Sequence, residues 1–182
     1  MRAFIAVDFP REIINELVSL QSKIKKFEKE ELIKAKYIEQ ENLHLTLKFL
    51  GEISEQELEK INEKLGEIKM KKFSAKLGEI GVFSEDYIKI VWIKLEGDGI
   101  FQLQKEIDKA LEDLFEKEHR FMSHITIARP KAVSDRKKFI SELNKIKVDG
   151  KEFFVDNFSL KKSELMSEGA KHSEIKKYEL ID

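Results

Sequence analysis

The chain has 182 residues, of which 34 are Lys or Arg and 35 are Asp or Glu, and its net charge is −1. This length suits one domain with a sizeable core, so we expect residues 1–182 to form a single domain. The absence of cysteine excludes disulfides, thiolate nucleophiles and Cys-based metal sites. A charge so close to neutral argues against a protein that coats a nucleic-acid backbone, because such proteins carry a large positive excess.

The longest apolar runs are a few residues each, far short of the roughly 20 that cross a bilayer. The N-terminal segment resembles a β-strand and lacks the cleavage site of a signal peptide, so we expect a cytoplasmic protein. Charged residues make up 38% of the chain, mostly Lys and Glu, which is a trend of proteins from thermophiles. No apolar segment is left without a role in the core, which favours a monomer.

Hydrophobic periodicity divides the chain into strands and helices. Pro10 suits the first turn of a helix whose apolar residues recur at helical spacing as far as Ile24, and Ser54 with Glu57 forms a capping box for a second helix. The charged residues 25–36 are predicted to lie on a solvated helix face and in a connecting loop. In chain order, the predicted elements are a strand over residues 2–8, a helix from Pro10, a strand over 43–50, a helix from Ser54, strands over 73–80 and 87–95, a helix over 97–118, a strand over 122–128 ended by Pro130, a helix over 134–146, and strands over 152–160 and 175–181.

A four-residue pattern, His-x-Thr-x, occurs twice in predicted strands, with the two histidines 80 residues apart. Because side chains alternate along a strand, each His shares one face with its Thr, while the two apolar residues point the other way. The repeat predicts an internal duplication, in which two similar α+β lobes meet at a cleft. The two copies are His44-Leu45-Thr46-Leu47 and His124-Ile125-Thr126-Ile127.

Two imidazoles and two hydroxyls around one small site suit the hydrolysis of a phosphodiester. That reaction needs a base for the attacking water and an acid for the departing oxygen, and the ordinary histidine pKa of about 6.5 serves either role near neutrality. Threonine hydroxyls can donate hydrogen bonds to phosphate oxygens without adding charge. We therefore predict that His44 and His124 form a metal-free acid and base pair, and the chemistry alone leaves open which is which.

Two other interpretations of these histidines are weaker. One His-x-Thr-x segment is common in strands and usually marks a satisfied or exposed histidine, but two copies with branched apolar residues at the same positions make coincidence much less frequent. A zinc site is disfavoured because neither motif contains a carboxylate or cysteine partner. The remaining histidines, His119 and His172, lie in charged segments and are predicted to be surface residues.

The chain resembles the two-histidine phosphoesterases, and most closely their branch of RNA 2′,3′-cyclic phosphodiesterases, historically called 2′-5′ RNA ligases. Weaker likeness extends over nearly the whole chain, through residues 2–7, 81–83, Trp92 and 160–165. The segments that carry the resemblance are Asn42-Leu43-His44-Leu45-Thr46-Leu47-Lys48-Phe49-Leu50-Gly51 and Ser123-His124-Ile125-Thr126-Ile127-Ala128-Arg129.

The resemblance implies an α+β fold of two pseudo-symmetric lobes, with antiparallel sheets lining a central groove and helices outside. It implies an enzyme without a cofactor that opens the 2′,3′-cyclic phosphate at an RNA end, such as that of a tRNA fragment, and leaves a 2′-phosphate. In that reaction His44 would donate a proton to the leaving 3′-oxygen and His124 would be the base acting on water. Ligation through a 2′-5′ linkage would be the same chemistry reversed, with a 5′-hydroxyl in place of water.

The resemblance also suggests residues that bind the substrate beside Thr46 and Thr126. Arg129 would pair with the phosphate, although an exposed arginine at the end of a strand explains it too. Phe49 and Tyr37 would stack on bases, which is worth roughly 1–3 kcal/mol per base, but Phe49 fits a core position equally well. Tyr37 stands where the family has a tryptophan.

Two alternatives to an RNA-end phosphodiesterase stay open. The same fold could act on a small cyclic nucleotide or on an ADP-ribose cyclic phosphate, which a comparison of oligonucleotide and mononucleotide turnover would decide. A non-catalytic RNA-binding module would bind RNA tightly, with strong salt dependence, and form no product.

Overall fold

The computed structural model describes residues 1–167 and 169–182, which form two β-sheets and four α-helices. The strands are β1 (Arg2–Val7), β2 (Ile33–Tyr37), β3 (Leu45–Glu52), β4 (Phe73–Val82), β5 (Val91–Glu96), β6 (His124–Val133), β7 (Glu152–Val155), β8 (Asn157–Met166) and β9 (Gly169–Glu179). The helices are α1 (Arg11–Lys29), α2 (Glu55–Gly66), α3 (Asp98–Ala110) and α4 (Arg136–Asn144).

Each sheet contains one of the two motif strands. The first sheet has the strand order β3-β1-β8-β9, and the second has the order β2-β6-β5-β4-β7. All pairings between these strands are antiparallel in the part of the chain that the structure describes. The α+β class and the antiparallel sheets are therefore confirmed.

The helices cover the buried faces of the sheets. The apolar side of α1 packs against β2 and β6, α3 against β3 and β4, and α4 against β4, which joins both sheets to one hydrophobic core. The predicted capping box is present, because the Ser54 hydroxyl accepts from the Glu57 backbone and the Glu57 carboxylate accepts from the Ser54 backbone. Within the described residues, no helix is both long enough and apolar enough to cross a membrane.

Strand β2 was not predicted, because its lysines made the segment resemble a solvated helix face or loop. The period-two pattern of a strand is nevertheless present. Ile33, Ala35 and Tyr37 alternate with Lys34 and Lys36, and the strand lies at the edge of its sheet. Lysines are common on edge strands, where they discourage pairing with other molecules. The prediction of a helix face and a loop for residues 25–36 is therefore correct only up to the start of this strand.

Strand β6 continues through Pro130, where the sequence predicted its end. β5 pairs with β6 only as far as Ala128, so from Pro130 onward the strand has a single neighbour, β2. A proline without an N–H is tolerated where a strand has no partner on one side. The continuation keeps Arg129 inside a regular strand.

The C-terminal strands also differ from the prediction. The predicted strand over 152–160 divides at Asp156 into β7 and β8, which belong to different sheets. β8 and β9 then form a long hairpin that pairs from Asn157 with Glu179 to Met166 with Gly169. Helix α3 ends at Ala110, earlier than the predicted residue 118.

Candidate active site

The two His-x-Thr-x motifs occupy equivalent environments, residue by residue. Residues 43–50 and 123–130 share one pattern of burial, which runs buried, partly exposed, buried, partly exposed, buried, buried, exposed, buried. The partly exposed residues are the His and the Thr of each motif, and the apolar residues between and after them are buried. The duplication inferred from the motifs therefore extends beyond their ends.

A β-bulge at Leu47, the last residue of the first motif, decides which later residue shares the face of His44 and Thr46. The register between β1 and β3 shifts after Thr46, which leaves Leu47 without a pairing residue in β1. The extra residue reverses the alternation of side chains. Lys48 therefore turns inward and is 5% exposed, while Phe49 joins Thr46 on the open face and is 71% exposed. The structure thus places Phe49 on the motif face and not in the core.

The second motif contains the same bulge at the same position. The register between β5 and β6 shifts after Thr126 and leaves Ile127 without a pairing residue in β5. Ala128 turns inward, and Arg129 joins Thr126 on the open face. Across the ladder, Arg129 lies opposite Lys36 of β2, which is also exposed.

The two motif strands are neighbours although they belong to different sheets. β3 and β6 contact each other, and hydrogen bonds tie the end of the second motif to the segment that precedes His44. The side chain of Gln21, buried in α1, donates to the carbonyl oxygens of Ile38 (2.7 Å) and Ile127 (2.8 Å). The backbone N–H of Ile38 donates to the same Ile127 oxygen (3.1 Å). These bonds fix α1 and the segment after β2 to the second motif.

Burial keeps the His44 imidazole neutral. Its Nε2 is 3.1 Å from the hydroxyl oxygen of Thr46, and its Nδ1 is buried without a hydrogen bond of standard geometry. Burial lowers the pKa of His44 to about 3, and the nearby His172 and Lys161 act in the same direction, while the backbone of Asn42 acts in the opposite one. In the free protein His44 is therefore an uncharged imidazole near neutral pH.

His124 has a defined tautomer. Its Nδ1 lies 2.8 Å from the carbonyl oxygen of Met122, which can only accept, so Nδ1 carries the hydrogen and Nε2 carries the lone pair. The ring of Phe83 packs edge-on against His124 at 4.9 Å, and Trp92 lies 5.8 Å behind Phe83. His124 is thus oriented from both sides and presents a free lone pair.

His172 is not an isolated surface residue, contrary to the prediction from its charged neighbours. Its ring lies 5.3 Å from that of His44 and 4.9 Å from that of Phe4, which is itself 4.9 Å from His44. Burial and then Lys161 lower the pKa of His172. The sequence contained no signal for this contact, because it depends on the pairing of the β8–β9 hairpin.

A buried ion pair supports the first motif from behind. Lys48 Nζ donates to Asp108 Oδ1 in α3 (2.5 Å) and to the carbonyl oxygen of Glu116 (2.7 Å). The second Asp108 oxygen accepts from the Gln104 side chain (2.7 Å) and the Glu118 backbone (3.1 Å). Both charges are almost fully buried and well hydrogen-bonded, so this network fixes β3 to α3.

The structure does not bring Tyr37 to the motif face. Tyr37 pairs with Ala128, which points inward, and the Lys25 ammonium of α1 lies 4.8 Å from the centre of its ring. Burial, followed by the charge of Glu28, raises the pKa of Tyr37 far above its usual value. Its contacts are with α1, so it is not positioned to stack on a base at the motifs. His119 is exposed, as predicted.

The described residues include no group of three His, Asp or Glu side chains placed to hold a metal ion. The residues that gather at the motifs are instead the imidazoles of the two motif histidines and of His172, two hydroxyls, a guanidinium and several aromatic rings. Phe4 and Phe83, each packed on one histidine, were missed as site residues. Their only signal was that both lie in segments with weak family likeness.

A family model described as LigT like Phosphoesterase matches the chain twice, over residues 7–92 and 93–172. Each match contains one His-x-Thr-x motif, which agrees with the duplication. A protein of Methanocaldococcus jannaschii named RNA 2′,3′-cyclic phosphodiesterase is 35% identical over 181 residues, covering 98% of this chain and 100% of the relative. A protein of the same name from Thermus thermophilus is 31% identical, covering 99% of this chain and 90% of the relative.

Solved structures show the same two-lobed architecture. A crystal structure of a protein from Thermus thermophilus has a TM-score of 0.84 and 30% identity, covering 98% of this chain and 97% of that chain. The crystal structure of E. coli LigT complexed with 3′-AMP has a TM-score of 0.75 over 100% of this chain and 98% of that chain. Its identity is 22%, so that likeness concerns the fold alone.

Proposed function

Because the chain belongs to the LigT-like phosphoesterase family, we propose that it hydrolyses RNA ends that carry a 2′,3′-cyclic phosphate and leaves a 2′-phosphate. The observation that carries this proposal is the repeated arrangement of His and Thr on one face of two neighbouring strands. Relatives over the full length are named for this activity. The reaction requires no cofactor, because the two histidines supply both proton transfers.

His124 is assigned as the general base. Its Nδ1–H donates to the Met122 carbonyl, so Nε2 can accept the proton of the attacking water. The water oxygen bonds to phosphorus as the bond from phosphorus to the 3′-oxygen breaks. The Met122 bond also stabilises the imidazolium that forms, since it holds the ring while the second nitrogen is protonated.

His44 is assigned as the general acid that protonates the leaving 3′-oxygen. A pKa lowered to about 3 means that His44 is unprotonated in the free protein at neutral pH. A phosphate anion beside the ring acts in the opposite direction, because an adjacent negative charge favours the charged imidazolium. His44 therefore gains its proton together with the substrate. Run in reverse, with a 5′-hydroxyl in place of water, the same steps would form a 2′-5′ linkage.

The open face around the motifs supplies the substrate contacts. Thr46 and Thr126 would donate hydrogen bonds to the non-bridging phosphate oxygens, and Arg129 would pair with the phosphate charge. Phe49, exposed beside the first motif, would stack on the terminal base. We expect Arg129→Ala and Phe49→Leu to raise the KM for a cyclic-phosphate oligonucleotide by about tenfold each, the equivalent of 1–2 kcal/mol. Steady-state kinetics would measure this, and an unchanged KM in either variant removes that residue from the site.

The proposed catalytic unit is one copy of residues 1–182, because each lobe supplies one histidine. A monomer then suffices, and we propose that it acts in the cytoplasm on RNA fragments such as those of tRNA. Light scattering of the active fraction would test the first point: full activity in a species with the mass of one chain supports a monomer. Activity that appears only in a dimer contradicts it.

The function is tested by incubating the protein, in EDTA, with an RNA oligonucleotide that ends in a 2′,3′-cyclic phosphate. We expect complete conversion to the 2′-phosphate, since neither proton transfer needs a metal. Mononucleotide 2′,3′-cyclic phosphate serves as the matched small substrate. A 3′-phosphate product contradicts the assigned regiochemistry, and loss of turnover in EDTA contradicts the metal-free mechanism. Turnover of the mononucleotide alone would reassign the substrate to small cyclic nucleotides.

A further inference from the structure

The ring of His44 is held in a cluster of three rings. Phe4 lies 4.9 Å from His44 and 4.9 Å from His172, and the two imidazoles are 5.3 Å apart, with His172 edge-on to His44. Among the described residues, the His44 side chain has a hydrogen bond to Thr46, and the backbone of Asn42 also acts on this ring. Packing against Phe4 and His172 adds to these contacts in orienting the imidazole.

The β8–β9 hairpin carries His172 to this position. His172 pairs with Ser163, and two residues earlier the carbonyl oxygen of Ala170 accepts a hydrogen bond from the Asn42 side chain (3.1 Å). Asn42 lies two residues before His44 in the chain. The hairpin is thus anchored to the segment that leads into the first motif, which keeps the two imidazoles in contact.

The groups that face His172 make this pair of rings electrostatically sensitive. On β8, Lys161 is buried and forms an ion pair with Asp8, and on β9 the Glu174 carboxylate accepts a hydrogen bond from Ser159 (3.0 Å). The Nδ1 of His172 is buried without a hydrogen-bond partner among the described residues. Among the residues that the structure describes, no carboxylate is hydrogen-bonded to either imidazole. A positive charge on one ring therefore opposes a positive charge on the other.

We infer that His172 is a positioning residue for the proposed reaction: its ring packs against His44 and helps to fix the orientation of that imidazole, and a proton on His172 opposes a proton on His44. Burial lowers the pKa of both imidazoles, and the charge of Lys161 acts in the same direction on each. A proton on either ring makes a proton on the other less favourable. The two histidines titrate as a coupled pair. This inference rests on the proposed function for its kinetic part only.

The test compares His172→Phe, which keeps a ring but loses the charge, with His172→Ala, which loses both. His119→Ala removes an exposed histidine elsewhere and is the matched control. NMR titration of the free protein would give the pKa of His44, and kinetics with the cyclic-phosphate oligonucleotide would give kcat and KM across pH. The NMR arm needs no turnover, so it decides the electrostatic part of the inference even if the proposed function fails.

We expect the pKa of His44 to rise in His172→Phe, because a cation is removed, yet to stay below its ordinary value, because burial remains. We expect kcat at neutral pH to be nearly unchanged in His172→Phe and to fall about tenfold in His172→Ala with KM constant, because a misplaced acid affects only the transition state. An unchanged pKa of His44 in His172→Phe overturns the electrostatic role. An unchanged kcat in folded His172→Ala, or an equal loss in His119→Ala, overturns the positioning role.

Discussion

Replacing His124 by alanine is expected to lower kcat for a cyclic-phosphate RNA end by about 10²–10⁴-fold, the range that general acid–base catalysis contributes. The variant lacks the group that is placed to accept a proton from water at the second motif. KM should change little, because the imidazole acts mainly in the transition state. Steady-state assays over a pH series would measure both constants, and circular dichroism would confirm that the variant is folded.

His44→Ala is expected to lower kcat by a similar factor. The double variant His44→Ala/His124→Ala should have a kcat only slightly below that of either single variant. The two residues act in one concerted step, so their effects are not additive. His119→Ala is the control and should retain full activity, because its side chain is exposed. Full activity in folded His124→Ala would end the two-histidine mechanism.

Replacing Asp108 by alanine is expected to destabilise the fold by about 3–5 kcal/mol, because it leaves the buried Lys48 ammonium without a counter-charge. Of the two hydrogen bonds that Lys48 donates here, the one to the carbonyl of Glu116 remains in that variant. Guanidinium unfolding followed by circular dichroism would give the free energy of unfolding. Activity should fall in parallel with the folded fraction, because β3 is fixed to α3 through this pair.

Two matched variants test the origin of that effect. Asp113→Ala removes the exposed partner of Lys64 in a salt bridge of 3.0 Å and should cause little measurable change, since solvent screens such pairs. The double variant Lys48→Met/Asp108→Leu should recover most of the lost stability, because it replaces both charges with apolar groups of similar size. A double variant as unstable as Asp108→Ala would show that the loss comes from packing or from the lost acceptor of Gln104 and Glu118, and not from the unpaired charge.

The sequence by itself determined the features that follow from local rules. Alternation along a strand placed His44 with Thr46 and His124 with Thr126, and helical spacing of apolar residues located the helices. The capping box of α2 could be predicted for the same reason, because it is formed by two residues that are three positions apart in the sequence. The repeat of one motif predicted two lobes, and the paired family matches agree with it.

Tertiary structure alone decided the features that depend on a partner strand. The bulges at Leu47 and Ile127 arise from the register with β1 and β5, and they turn Phe49 and Arg129 to the motif face. A bulge depends on how two strands pair, so the sequence of a motif strand by itself does not predict where the register shifts. This is why the position of Phe49 stayed open until the fold was known.

The surroundings of His44 were set in the same way by contacts distant in sequence. His172 reaches His44 through the β8–β9 hairpin, and Asp108 reaches Lys48 from a helix in the other half of the chain. Tyr37, which was predicted to stack on a base, lies against α1, because alternation along β2 turns it away from the face that carries Lys36. Local sequence thus determined which groups do the chemistry. Burial and pairing between distant segments decided their charge states and supports, because desolvation and packing depend on every element around a side chain.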